Sequence, residues 1–161
     1  MNRIPELVQN LQELGSHHLE IGILSEGDTE LTMIASVHEF GVQIQVTPAM
    51  RAFLHHIGIH LKKETEVINI PERSYVRSGW DAKLPDIEQK ITMLLDAVLM
   101  GEIDAMTFYN SIGGQVVVYL QEYLTALSSP PNHPATVEQK GSSNPLVDTG
   151  RLVSAITYKV V

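Results

Sequence analysis

The sequence predicts an α+β fold: a small, mostly antiparallel sheet, built from an N-terminal hairpin and a C-terminal strand, packed against a long helix hairpin. Three observations carry this. Residues 18–24, 31–37 and 155–161 read as strands, the first and last by alternation of polar and apolar side chains. Two apolar stripes at helical spacing, ending at Gly101 and beginning at Asp104, are separated by two residues, which implies an antiparallel helix pair. A polar, proline-rich stretch then divides the helices from the last strand.

Each element has its own signal. Leu7, Val8, Leu11 and Leu14 lie at helical spacing, and Gly15 follows where a helix end favours it. His18 to Leu24 alternates as a half-buried strand does, Glu26-Gly27-Asp28 is a turn, and Leu31 to Val37 makes the second strand of the hairpin. Gln43 to Val46 alternates again. Thr47 is then an N-cap with Pro48 at the first helical position, and Met50, Phe53, Leu54, Ile57 and Leu61 give a helix with a weak point at Gly58. Val67 to Ile70 is short and apolar and leads into 71–77, an edge strand or extended arm, since Pro71 cannot donate to a ladder.

Asp86 with Gln89 forms a capping box at the head of the first long helix. Asp104 opens the second, which runs to Leu127 and would be about 36 Å long. Gly113-Gly114 within it marks a kink or a close packing contact. Residues 128–143, SSPPNHPATVEQKGSS, have three prolines and almost nothing apolar, and are expected to form a mobile loop without structure of its own. A short helical turn near Asp148 to Ser154, capped by Asp148 or Thr149, precedes the final strand, whose Ile156, Tyr158 and Val160 share a face.

The 161 residues fit one domain, 1–161. Hydrophobic residues at 43% and charged residues at 19% are an ordinary globular balance, so the chain is expected to fold. No apolar run approaches the roughly 18 to 20 residues that span a bilayer, and the first residues lack a signal-peptide layout. A soluble, unexported protein is expected. The absence of cysteine excludes disulfides, thiolate metal sites and cysteine nucleophiles. A formal net charge of -8 opposes a large phosphate-binding footprint, so sequence-specific nucleic acid is not an expected ligand.

Two patterns suggest chemistry. Asp148-Thr149-Gly150, after two apolar residues, reads like the catalytic strand of an aspartic protease. Such an enzyme needs two carboxylates sharing a proton, yet Arg151 follows, where a cation favours both carboxylates ionised. Only thirteen residues remain for the strands and flap of a dimeric protease. Among the seven histidines, His56 and His60 have the i, i+4 spacing of a zinc helix, with His55 beside them. The glutamate of a metalloprotease helix is missing from HHIGIH, so a third ligand and a general base would have to come from elsewhere. His38 and Glu39 would point to opposite faces of a strand. We therefore expect no enzyme activity, no cofactor and no metal ligand; a small histidine-based metal-binding or hydrolytic domain is the alternative.

Three segments together resemble a known family. They are Ile34 to Gly41, ending His-Glu-Phe-Gly; Asn69 to Arg77, NIPERSYVR; and Asn144 to Leu152, NPLVDTGRL, with Ser154, Ile156 and Tyr158 beyond. In this order they resemble the "EFG", "IPxRxFxR" and "PLxDTGxLxxSIxY" signatures of the bacteriophage virion morphogenesis proteins. These are the tail-completion and head-tail joining (neck) proteins of tailed phages and prophages, of the phage Mu and P2 type. Tyr75 stands where the family has Phe, Ala155 where it often has Ser, and 47–61 resembles members with an inserted helix. The resemblance implies a structural role in the virion, with the protein made in the bacterial host cytoplasm. Copies would close a ring, as a neck or tail-terminator subunit, against the connector and the tail tube, with DNA passing through. In isolation the subunit would be a monomer, or a ring at high concentration. Pro71, Arg73, Tyr75, Arg77, Asp148, Gly150 and Arg151 are the residues this resemblance offers to the assembly interface.

Overall fold

A computed structural model of the chain describes residues 4–24, 27–141 and 144–161. In chain order the elements are α1 (Ile4–Ser16), β1 (Leu19–Ile23), α2 (Thr29–Phe40), β2 (Val42–Gln45), α3 (Pro48–His56), β3 (Val67–Ile70), α4 (Arg77–Leu99), α5 (Ala105–Ala126), α6 (Pro134–Lys140), α7 (Arg151–Ser154) and β4 (Ile156–Val160). The architecture is α+β, with the long α4–α5 pair packed on a small antiparallel sheet.

The core is organised by α5. Ile112, Val116, Leu120 and Leu124 are buried at i, i+4, i+8 and i+12, a stripe that meets Ile87 and Val98 of α4. Asp104 caps the helix as expected, accepting the Thr107 amide at 2.7 Å, and this bond holds its carboxyl below the ordinary value. The other side of α5 carries β1 and β4. These pair antiparallel from Leu19 with Val160 to Ile23 with Ile156, and His18 and Val161 exchange two further backbone bonds. Gly113 lies directly under the Tyr158 ring, whose hydroxyl donates to Asn110 Oδ1 at 3.1 Å.

That contact makes the two adjacent glycines inequivalent. A β-carbon on Gly113 would run into the Tyr158 ring, whereas one on Gly114 meets nothing within 4 Å. Gly113→Ala is therefore expected to destabilise by about 1–3 kcal/mol through overpacking. Gly114→Ala gains up to about 1 kcal/mol of helix propensity. Thermal melts of the two variants should move in opposite directions; a shift in the same direction would mean that β4 does not seat on α5 here.

Several local expectations change. Residues 31–37 are not a strand but part of α2, whose first turn is capped by Asp28 accepting the Leu31 amide at 3.0 Å. The N-terminal hairpin therefore does not form: β1 takes β4 as its partner, and Glu26 of the expected turn lies outside the described residues. β2 instead pairs with β3 in a second two-stranded sheet, Val42 opposite Ile70 and Gln45 opposite Val67, with α3 inserted between them. Thr47 caps α3 as expected, donated to by the Met50 amide. The helix ends at His56 rather than Leu61, and Gly58 follows at φ 87°.

Residues 71–77 are not an edge strand. They turn directly into α4, which begins at Arg77, well before the Asp86 capping box, and which contains Pro85 and Asp86 in its body. Gly79 lets this first turn press onto Leu120 and Tyr123 of α5. The 128–143 stretch is not without structure: it contains α6, and its first residues are held by a buried arginine; residues 142–143 lie outside the described residues. No helix among the described residues is long and apolar enough to cross a membrane.

Candidate assembly site

The site begins with a problem at the N-terminus of α4. A helix leaves its first amides without intrahelical partners, and neither Val76 nor its neighbours supply a side-chain cap. The partner arrives from another helix. Glu39, in the last turn of α2 and only 6% exposed, accepts the Val76 amide at 2.9 Å through one oxygen. Its other oxygen accepts the Arg77 amide at 3.1 Å, Ser74 Oγ at 3.1 Å and Arg77 Nε at 3.0 Å. A carboxylate at a helix N-terminus also meets the positive end of its dipole. One buried glutamate thus caps α4 and welds it to α2.

The rest of His-Glu-Phe-Gly serves the same junction. The Arg77 guanidinium lies over the Phe40 ring, 4.8 Å from its centroid, and also donates to Glu39 O and to Glu72 Oε1. The Glu39 bond foremost, and Glu72 after it, hold its pKa above the ordinary arginine value. Gly41 follows at φ 69° and ψ 166°, where a β-carbon would run into the backbone of Ile70 and Glu72. Only glycine adopts that conformation freely.

Arg73 and Tyr75 point inward. Arg73 is 4% exposed; its amide donates to His38 O at 2.7 Å, and its guanidinium donates to Pro130 O, Pro131 O and Asn132 Oδ1 at 2.8, 3.2 and 3.0 Å. Burial lowers its pKa. Asn132 in turn reaches Pro145 O, while Asn144 Oδ1 accepts the amides of Leu146 and Val147 and its Nδ2 donates to Thr125 O. Tyr75 is 1% exposed, within the core cluster. Neither side chain is exposed in this conformation, contrary to the interface role expected of them, whereas Arg77 and Phe40 beside them are exposed.

Tyr75 has a testable consequence. Burial first, and Glu39 second, raise its phenol pKa above the ordinary value. With the folded value above the unfolded one of about 10, the neutral phenol contributes fully below that pH and its contribution is lost as pH rises beyond it. Tyr75→Phe is expected to move alkaline unfolding to higher pH, followed by circular dichroism. An unchanged alkaline midpoint would show that Tyr75 ionises without opening the core.

The third segment closes the same framework. Gly150, left-handed at φ 78°, occupies the N-cap position of α7; Asp148 is exposed and does not cap it. Arg151 bridges α7 to the start of α2, donating to Asp28 Oδ2 at 3.0 Å and lying 3.5 Å from Glu30. The Leu31 amide first, and Arg151 after it, hold the Asp28 carboxyl below its ordinary value. A cleft of about 380 Å³ opens between α2, α6 and this loop, with His38, Asn132, Asp148 and Arg151 among its lining. Pro71 lies apart, in a shallow groove with Phe40 and Glu72.

The histidines do not form the expected face. His56 ends α3 and His60 lies beyond it, while the rings of His55 and His60 meet edge to face at 4.5 Å. Among the described residues no group of three His, Asp or Glu is arranged to hold a metal ion. Searches for a matching protein family, a similar curated protein or a similar solved structure find none.

Sequence reasoning passed over Glu39, the residue that organises the junction, because its segment reads as a strand. The available signal was a carboxylate followed by Phe-Gly at the end of an apolar run, with two arginines in the next polar segment.

Proposed function

We propose that this chain is a structural assembly protein of a tailed bacteriophage or prophage. It acts in tail completion and head-tail joining as a ring-forming neck or tail-terminator subunit, against connector and tail-tube proteins of the virion. One observation carries the reading: the first two segments that resemble the family hold each other directly, and the second reaches the third through residues 130–132. Glu39 and Gly41 of the first fix the arm of the second, and Arg73 of that arm fixes the chain leading into the third. Exposed apolar side chains such as Phe40, Phe53 and Met100 supply material for contacts with other subunits.

The test is genetic and biochemical. In a phage carrying this gene, a nonsense mutation should give filled heads and separate tails that do not join, and adding the purified protein to that lysate should restore infectious particles. Normal joined particles from the mutant, together with absence of the protein from purified virions by mass spectrometry, would overturn the reading.

A further inference from the structure

The excursion β2–α3–β3 differs from the body that carries it. α3 has no buried residue, and Phe53 on it is 61% exposed. A cleft of about 610 Å³, lined by Leu54, Ile59, Leu61, His133 and Thr136 among others, separates its underside from α6. Among the described residues, no strand pairs with the outer edge of β2 or of β3. Charge is uneven as well. From Phe40 to Lys63 there is no Asp or Glu, and the span holds Arg51, Lys62 and Lys63; Glu64 and Glu66 follow before β3, which leaves the excursion slightly cationic in a chain of net charge -8. Conversely, the runs Ile4 to Met50 and Ile91 to Gln139 contain no Lys or Arg.

Those two cation-free runs meet at the opposite kind of surface. α1 and the end of α4 enclose a cleft of about 290 Å³ lined by Ile4, Leu7, Leu99 and Met100. Ile4 and Met100 are among the most exposed apolar side chains of the protein. Glu6 lies in the cleft, Asp96 one turn before Met100, and Glu102 just after Gly101, all exposed. An apolar cleft with a carboxylate rim is opposite in sign to an apolar helix followed by two lysines.

We propose that α3, with Lys62 and Lys63, is an arm that docks on the α1–α4 cleft of a second copy of this chain, with Phe53 as its apolar anchor. The contact is heterologous, one surface gripping a different one, and repeats around a closed ring. This rests on the ring-forming reading above and names the two faces that build the ring.

The chain has no cysteine, which makes cross-linking unambiguous. Phe53→Cys and Met100→Cys chains are mixed at high concentration under mild oxidation, with ring formation followed by electron microscopy. The expected product is a 53–100 disulfide between copies, with yield falling about tenfold when Lys62→Glu and Lys63→Glu are added to the Phe53→Cys chain. Products limited to 53–53 and 100–100 links overturn the proposal, as does a 53–100 yield indifferent to the lysine reversal. Rings that form without the 53–100 link overturn it and leave the ring reading standing. Absence of any species larger than a monomer at every concentration overturns both.

Discussion

Glu39→Ala is expected to lower the stability of the folded chain by about 3 kcal/mol, read as a fall in the urea midpoint at unchanged slope. The substitution removes one small side chain but strands three donors at once: the amides of Val76 and Arg77 and the Ser74 hydroxyl. Two of these are helix-terminal amides in a half-buried setting, where no local side chain can replace the carboxylate. Arg77 is about half exposed and loses less, because water takes over its hydrogen bonds. Glu39→Gln separates charge from shape. It keeps one accepting oxygen, so its loss should be about half that of alanine. Should both variants unfold within about 0.5 kcal/mol of the parent, α4 does not depend on α2 for its cap.

Gly41→Ala is expected to cost about 3 kcal/mol for a different reason. At φ 69° and ψ 166° a side chain is strained whatever surrounds it. Here the added β-carbon would also lie 2.8 Å from the Glu72 amide nitrogen and 3.0 Å from Ile70 O. Backbone on both sides cannot swing away as a side-chain tip does, so the strain must move β2 and β3 or the arm. Gly15→Ala, in α1 with open space around it, is the control and should be neutral or slightly stabilising. If Gly41→Ala melts with the parent, the approach of the two chains is looser than the distances indicate.

What was legible in the sequence follows from where each element finds its partners. α5 was readable because its buried stripe, its Asp104 cap and its length all lie within one stretch of chain. Thr47 at the head of α3 and the edge pattern of β4 were readable for the same reason. α2 was misread because Leu31, Met33, Ile34, Ala35 and Val37 satisfy both a two-residue and a 3.6-residue period. Its Asp28 cap reads locally as part of a turn.

The head of α4 was misplaced because its cap is 38 residues away in sequence, beyond any local rule, and because Pro85 reads as a helix breaker. Arg73 and Tyr75 were marked as important through the resemblance to a family, but not as buried. Charged and aromatic side chains in a polar segment look exposed until their partners are known, and Arg73 finds its partners among the carbonyls of 130–132. The sequence therefore marked the segments that matter and left open which way their side chains face.

The pairing of β1 with β4 bears on how the protein is made. On the ribosome, β1 emerges early, but its partner follows only after α4, α5 and α7 have been synthesised. Until then Leu19 to Ile23 present an unpaired edge, and α5 lacks the strand that covers Gly113. Closing so long a loop is entropically slow, so the sheet should be among the last parts to form. A nascent chain stalled short of Ile156 would leave the edge of β1 open to a neighbouring chain.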